Sequence, residues 1–292
     1  MKEIHQEEWL YEISPKRKLI ELNLKEIWRY RDLLMLFVKR DIVTVYKQTV
    51  LGPLWFLIQP LLTSVIFTLV FNGVANINVP GVPMFLFNLA GITTWNYFAD
   101  CLTSTSDTFI KNQQLFGKVY FPRVIMPISV VISNLLKFGI QLLIFIIFYI
   151  IYIGKGSKIE PNLTLLWFPV LIIIMALLGL GVGMIISSMT SKYRDLRFLV
   201  AFGVQLLMYV SAVPYPLSEL VNSERLKDYP LIVSLIKINP LTQVIEGFRY
   251  MTIGEGVFNL SNLIATLLMS IAVFLIGLII FNKTEKSFID VV

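Results

Sequence analysis

Charge is scarce in this chain. Only 15% of its 292 residues are Asp, Glu, Lys or Arg, whereas 56% are hydrophobic. A soluble protein carries about 25% charged residues, so this composition excludes a water-soluble globular enzyme, a disordered chain and a nucleic-acid-binding domain. The formal net charge of +6 does not indicate nucleic-acid binding, because in so apolar a chain an excess of Lys and Arg is typical of cytoplasmic loops.

Cysteine and histidine are almost absent, since Cys101 and His5 are the sole residues of their types. An intramolecular disulfide is therefore excluded, and neither a thiolate metal cluster nor a His-based metal site or catalytic triad is expected. The phosphate-binding pattern G-x-x-x-x-G-K-[ST] is missing as well. We assign no catalytic residue, metal or cofactor to this chain. An ATP-driven process needs a partner subunit that binds ATP and Mg²⁺.

Long apolar segments are what the sequence has in abundance. A helix needs about 20 mostly apolar residues to cross a hydrocarbon core of about 30 Å. Six segments near this length are almost free of charge. They predict an all-α membrane protein with six transmembrane helices, forming a domain over residues 54–281 with spans at about 54–71, 83–105, 124–152, 163–187, 198–213 and 263–281.

The distribution of Lys and Arg predicts the orientation of these spans. Eighteen Lys and Arg residues lie before span one, between spans two and three, between spans four and five, and after span six. The remaining connections hold six. Both termini are therefore predicted to be cytoplasmic, with an N-terminal segment at 1–53 and a tail at 282–292. The first 47 residues are rich in charge, which argues against a signal peptide.

Residues 23–45, before span one, show the pattern of an amphipathic helix. Charged side chains recur at steps of three or four along one stripe, and apolar side chains share another. Such a helix lies in the membrane interface. The alternative is a plain cytoplasmic helix packed on the protein.

Two connections contain apolar residues that a simple loop does not require. In Thr108–Pro122, the polar run from Lys111 to Gln114 precedes Leu115 and Phe116. This apolar pair either fits a partner's groove or tucks under the membrane surface. Residues 213–256 hold four prolines and an apolar stretch too short to span. They predict a re-entrant or interfacial segment that lines or caps a cavity on the outer side.

Three features inside the spans leave alternatives open. Lys137 either faces a cavity or a partner, or snorkels to the interface. Gly179, Gly181 and Gly183 favour close helix packing, because no strand precedes them as a dinucleotide-binding fingerprint would require. Aromatic side chains are explained mostly by belts at the membrane boundary, and a minority are candidates for stacking on sugar rings.

Several strings together resemble the ABC-2 type permeases that export polysaccharides, namely O-antigen, teichoic acid and capsule. The resemblance runs along nearly the whole chain in the order of the family. It rests on Arg40-Asp41-Ile42, Tyr46-Lys47-Gln48-Thr49, Leu51-Gly52-Pro53-Leu54-Trp55, Phe121-Pro122-Arg123, Met126-Pro127-Ile128-Ser129, Lys192-Tyr193-Arg194-Asp195-Leu196-Arg197, Asn239-Pro240, Phe248-Arg249-Tyr250 and the tail from Phe281 to Val292. Thr49 departs mildly from the Ser expected there.

This resemblance implies the assembly. The working unit would be a homodimer with two copies of a separate ATPase subunit, residing in the cell inner (cytoplasmic) membrane among membrane lipids. It would export a polysaccharide linked to undecaprenyl pyrophosphate, with no nucleic acid involved. Residues 23–45 would be the family's interface helix, and residues 213–256 its re-entrant outer-leaflet helices.

The resemblance also implies site residues. A cytoplasmic coupling helix would contact the ATPase, with a lesser contact from the next cytoplasmic loop: Lys111, Asn112, Gln113, Gln114, Leu115, Phe116, Lys118, Arg194 and Asp195. Glycan contacts are expected among Trp55, Phe56, Trp95, Tyr97, Tyr209 and Tyr215. The exit gate would include Pro214, Pro216 and Pro240.

A basic interface helix would attract the pyrophosphate of the lipid. Arg29, Arg31 and Arg40 are the candidates, because guanidinium matches phosphate geometry. Two other functions remain open. One is an ABC-2 permease for teichoic acid, a drug or a simple lipid. The other is a membrane enzyme acting on a polyprenol phosphate, although the chain offers only scattered acidic residues for its metal.

Overall fold

The structure, a computed structural model, describes residues 24–47, 51–116, 119, 121–157, 159, 161–193, 195–222 and 229–288. Every regular element within these ranges is helical. The helices are α1 (Leu24–Arg29), α2 (Arg31–Lys47), α3 (Trp55–Phe67), α4 (Met84–Ser106), α5 (Thr108–Lys111), α6 (Gln113–Phe116), α7 (Ile125–Gly154), α8 (Phe168–Thr190), α9 (Leu196–Val210), α10 (Leu217–Asn222), α11 (Pro230–Ile238), α12 (Pro240–Ile253) and α13 (Leu260–Phe288).

Short segments of other helix types extend two of these elements. A 3₁₀ turn at Gly52–Leu54 precedes α3, and a π-helical segment at Thr68–Val74 follows it. Another 3₁₀ turn at Leu163–Trp167 precedes α8. These extensions bring the continuous helices near α3 and α8 to the length that a membrane span requires.

Four apolar helices are long enough to cross a membrane: Gly52–Val74, Ile125–Gly154, Leu163–Thr190 and Leu260–Glu285. The α11–α12 pair adds a fifth candidate, but it bends by 68° at a break between the two helices. The other two predicted spans are helical too. However, α4 carries many polar residues, and the 15 residues of α9 reach only about 22 Å. The described chain thus supports four or five spans, and six stays a prediction.

Helix α8 lies between α4 and α13 at very close range. A Cβ atom on Gly179 would come within 2.6 Å of Cys101 Cβ, and one on Gly183 within 2.6 Å of Thr105 Cβ. Both contacts are with α4. A Cβ on Gly181 would come within 2.7 Å of the Phe274 nitrogen of α13. Small residues let helix backbones approach in this way, which confirms the packing interpretation of these glycines.

Polar side chains fix α3 and its extension against α4. Asn88 of α4 donates to Thr68 Oγ1 and to Asn72 Oδ1, each at 3.1 Å. Asn88 is fully buried. Because an unpaired amide in an apolar interior is costly, these bonds set the register between the two helices.

The predicted helix over residues 23–45 is two helices, α1 and α2, separated by a turn at Tyr30. One face of α2 packs on the protein through Phe37 and Val38, both buried. Trp28 and Leu36 are apolar but exposed. The segment is therefore not one continuous rod, and its place as an amphipathic helix in the membrane interface stays a prediction.

We predict that Gly181→Ala destabilises the protein by about 1–3 kcal/mol, because the added methyl group collides with the backbone of α13. Unfolding in detergent is measured with a thiol-reactive fluorophore, which reports exposure of the buried Cys101. Gly139→Ala in α7 is the control, since a Cβ there meets nothing within 4 Å. Equal melting of Gly181→Ala and Gly139→Ala would contradict the close packing of α8 on α13.

Candidate functional site

A cluster of phenylalanine rings joins the predicted coupling segment to the helices around it. We call Phe37, Phe109, Phe116, Phe121 and Phe281 the aromatic cluster. Phe109 of α5 stacks on Phe281 of α13 with ring centroids 4.5 Å apart. Phe116 lies 5.9 Å from both Phe109 and Phe121, and Phe37 of α2 lies 5.7 Å from Phe121. Aromatic pairs at these distances stabilise the fold by more than the burial of their area alone. The rings of α2 and α13 therefore hold α5 and α6 from two sides.

Arg123 covers this cluster and ties it to the end of α13. Its Nη1 donates to the Glu285 carbonyl oxygen at 3.0 Å, and its Nε lies 3.8 Å from Glu285 Oε1. The guanidinium carbon lies 5.0 Å from the centroid of the Phe116 ring. In the sequence, Arg123 and Glu285 stand out only as parts of two segments that resemble the family, and no contact between them was predicted. Their pairing across the fold links the coupling segment to the C-terminal helix.

The predicted ATPase-coupling residues differ in exposure. Lys111 and Gln114 are exposed, Asn112, Gln113 and Leu115 are half-buried, and Phe116 is buried in the aromatic cluster. Asp195 is exposed, whereas Lys118 and Arg194 lie outside the described residues. The Phe116 ring therefore packs inside its own chain. The polar surface of α5 and α6 is what this segment presents outward.

Asp107 brings the two predicted ATPase-facing connections together. Its carboxylate lies 3.1 Å from Lys111 Nζ and 3.2 Å from Arg197 Nε. Lys111 belongs to α5, and Arg197 to the first turn of α9. The i, i+4 spacing of Asp107 and Lys111 is visible in the sequence, whereas the contact with Arg197 is not, because Arg197 is distant in the chain.

A cleft of about 380 Å³ opens beside the aromatic cluster, between α2, α3, α4, α5 and α7. Charged, polar and apolar side chains all contribute to its wall. The lining residues are Arg40, Asp41, Ile42, Thr44, Phe56, Ser104, Thr108, Lys111, Asn112, Val130, Ser133, Asn134, Leu136, Lys137 and Ile140.

Lys137 lines this cleft, which favours the cavity-facing interpretation. Its Nζ lies 4.0 Å from Asp100 Oδ2 and 5.3 Å from the centroid of the Phe56 ring. The side chain is 26% exposed. A lysine at membrane depth costs about 2.5–3.5 kcal/mol on insertion scales, so an open polar cleft explains why it is tolerated in α7.

Of the three predicted phosphate-binding arginines, only Arg40 lies in the cleft. Its Nη2 lies 2.8 Å from Asp41 Oδ1, its Nη1 donates to Asn112 Oδ1 at 3.4 Å, and its guanidinium carbon lies 4.9 Å from the Phe37 ring centroid. Arg29 and Arg31 are at the junction of α1 and α2, outside the cleft lining. Arg31 lies beside Asp32 and Trp28.

The six predicted glycan-contacting aromatics separate into two groups. Trp95 and Tyr97 of α4 are buried in the core, where Trp95 packs on Phe98 and Tyr97 on Phe138. Trp55 and Tyr209 are 50% and 40% exposed, Phe56 faces the cleft, and the Tyr215 hydroxyl donates to the Tyr209 carbonyl oxygen. Trp95 and Tyr97 are therefore core residues, and a glycan contact stays a prediction for the other four.

The predicted gate region begins with irregular backbone after α9. Ala212 has a positive φ of 53°, and Pro214 and Pro216 follow in the same turn. Arg249 of α12 is fully buried and donates to the carbonyl oxygens of Ala212, at 2.9 Å, and of Val213. A buried non-helical segment needs such partners for its backbone.

Glu246 pairs with Arg249 at 3.0 Å and is itself buried. This pair is absent from the residues predicted above, although two opposite charges at i and i+3 in an apolar helix are a signal for it. Pro240 begins α12, and the adjacent Asn239 caps it by accepting from the Leu241 nitrogen at 3.0 Å. The pair and the cap together fix the bend between α11 and α12 against the end of α9.

Residues 32–253 match the ABC-2 type transporter family. The chain is also 28% identical to an O-antigen export system permease protein, RfbA, of Klebsiella pneumoniae, over 89% of this chain and 95% of that protein. It is 24% identical to RfbA of Myxococcus xanthus, over 91% and 98% of the two chains. It is 24% identical to the polysialic acid transport protein KpsM of Escherichia coli, over 85% and 92%.

These similarities confirm the resemblance to polysaccharide-export permeases that the sequence strings indicated. The match includes α2, the aromatic cluster up to Phe121, the cleft and the α11–α12 bend. With its apolar helices, this chain is a multi-pass membrane protein that belongs to the ABC-2 type transporter family.

Proposed function

We propose that this chain is the permease subunit of an ATP-driven transporter that exports undecaprenyl-pyrophosphate-linked polysaccharide, such as O-antigen, across the cytoplasmic membrane. The observation that carries this proposal is the similarity to named polysaccharide exporters over 85–91% of the chain. The similarity also extends over 92–98% of the length of each relative.

The proposed assembly contains two copies of this permease and two copies of a separate ATPase. The sequence lacks a phosphate-binding P-loop, so ATP and Mg²⁺ bind in the partner. We assign the contact with that partner to the exposed polar surface of α5 and α6, chiefly Lys111 and Gln114, and to the start of α9 through Asp195. Phe116 supports this surface from inside.

Each protomer of the proposed transporter has six spans, and both of its termini lie in the cytoplasm. The exposed Trp55 and Tyr209 and the half-buried Tyr215 are the aromatics that we place along the glycan path, because flat rings stack on the apolar faces of sugars. The bent α11–α12 pair and the turn at Pro214 and Pro216 form the outer gate. Arg249 and Glu246 keep this gate ordered by satisfying its backbone.

Export itself is tested in inverted membrane vesicles that contain the permease, its ATPase and a radiolabelled undecaprenyl-linked glycan. We expect the glycan to become protected from added glycosidase only when ATP is present. Transport of a drug or simple lipid without glycan protection would favour another ABC-2 substrate. Turnover of a polyprenol phosphate by the permease alone would identify a membrane enzyme and overturn the proposal.

The proposed topology predicts the accessibility of inserted tags. A tag placed between Asn76 and Ile77, in the connection between α3 and α4, is expected to be labelled by antibody in intact spheroplasts. The connection bears no Lys or Arg, as external loops do. A tag at the N-terminus should be labelled only after the membrane is permeabilised. Labelling of the N-terminal tag on intact spheroplasts would reverse the orientation.

The proposed ATPase contact predicts the effect of trimming its polar surface. The double variant Lys111→Ala/Gln114→Ala should weaken co-purification with the ATPase about tenfold, since exposed polar side chains at a partner surface carry part of the binding energy. Lys155→Ala, an exposed lysine in the connection after α7, is the matched control. Unchanged co-purification of the double variant, at unchanged thermal stability, would remove α5 and α6 from the interface.

A further inference from the structure

We propose that the cleft between α2, α3, α4, α5 and α7 binds the phosphate-bearing headgroup of a lipid. The inference rests on the proposed function for the identity of the lipid, and it names the part of the chain that contacts the lipid phosphate. It replaces the set of Arg29, Arg31 and Arg40 with Arg40 and Lys137, which come from two different helices and line one cavity.

The charges that line the cleft suit an anion. Arg40, Lys111 and Lys137 are cations, and Asp41 is the single acidic residue in the lining. Phosphate oxygens accept charge-assisted hydrogen bonds from guanidinium and ammonium groups. Side-chain amides and hydroxyls in the same lining add neutral polar groups: Asn112, Asn134, Ser104, Thr108 and Ser133.

Carboxylates position these cations without neutralising all of their charge. Asp41 lies 2.8 Å from Arg40 Nη2, whereas Asp100 lies 4.0 Å from Lys137 Nζ, too far for a hydrogen bond. Asp107 is shared between Lys111 and Arg197. When Arg197, Asp100 and Asp107, which lie outside the cleft lining, are counted with the lining residues, four cations are matched by three carboxylates. The side chains are held in place before a ligand arrives, and one positive charge remains in excess.

The apolar side of the cleft indicates that the phosphate belongs to a lipid. Phe56, Val130, Leu136 and Ile140 line it together with the cations, and Leu136 is 53% exposed. A soluble anion gains no free energy from these apolar side chains, whereas a hydrocarbon tail buries apolar area against them. The tail would lie along α3 and α7, and the phosphate would lie beside Arg40 and Lys137.

Asn134 gives the cleft a polar floor. Its side chain is only 3% exposed, yet its Nδ2 lies 4.0 Å from Cys101 Sγ, a distance at which a thiol is a weak acceptor. A buried amide with so weak a partner gains free energy from a ligand oxygen. Asn134 lines the cleft and is thus placed to donate to the phosphate group.

Binding is tested with purified full-length permease in phosphatidylcholine nanodiscs, using radiolabelled undecaprenyl pyrophosphate as the probe. Arg40→Gln and Lys137→Gln should each weaken binding about tenfold or more, because each removes a charge-assisted hydrogen bond. Lys39→Gln is the matched control, an exposed cation on the same helix outside the cleft lining. It should change affinity by less than about twofold.

A charge-conserving variant separates loss of charge from misfolding. Lys137→Arg should retain most of the affinity, since it keeps a cation at the same place. If Lys137→Gln and Lys137→Arg bind the probe as tightly as the unaltered protein does, the cleft is not the site. The same conclusion follows if Lys39→Gln weakens binding as much as Arg40→Gln does.

Competition distinguishes the sources of the phosphate. Undecaprenol, which has no phosphate, should not displace the probe, and displacement by it as strong as by undecaprenyl pyrophosphate would overturn the proposal. Weak displacement by phosphatidylglycerol supports a site for the lipid carrier. Equal displacement supports a phosphate-lipid site filled by membrane phospholipid. The assay needs neither ATPase nor glycan, so its result is independent of whether the chain exports polysaccharide.

Discussion

The close contact of α8 with both α4 and α13 is the constraint on which the rest of this structure depends. Gly179 and Gly183 admit the backbone of α4, and Gly181 admits that of α13. In lipid, hydrocarbon surrounds helices whether or not they touch, so association comes from packing and hydrogen bonds rather than from expulsion of water. Three glycines on one helix therefore determine where two neighbouring helices lie.

The aromatic cluster follows from this arrangement. Because α13 lies against α8, Phe281 meets Phe109, and Glu285 meets Arg123. The short helices α5 and α6 have four residues each and cannot be stable alone. Their geometry comes from the rings and the guanidinium around them, which connect α5 and α6 to α2 and α13 through direct contacts.

The same physical rule holds at two places in the protein, the cleft and the turn after α9. Charged side chains stay among apolar helices only where carboxylates, carbonyl oxygens or open space compensate them. Lys137 has Asp100 and the cleft. Arg249 has Glu246 and the carbonyl oxygens of the turn after α9. The first arrangement leaves room for a ligand, and the second is fully occupied by the protein itself.

The sequence by itself determined the helical class and the positions of four long apolar helices, because these depend on local composition and period. It predicted close packing at the glycines of α8 for the same reason. It indicated the family through short strings that resemble polysaccharide-export permeases. Only the tertiary structure decided that Phe116 turns inward, that Trp95 and Tyr97 are buried, and that Arg40 rather than Arg29 or Arg31 shares a cleft with Lys111 and Lys137. These outcomes depend on contacts between residues distant in the chain, and a periodic pattern in one segment contains no information about the segment that packs against it.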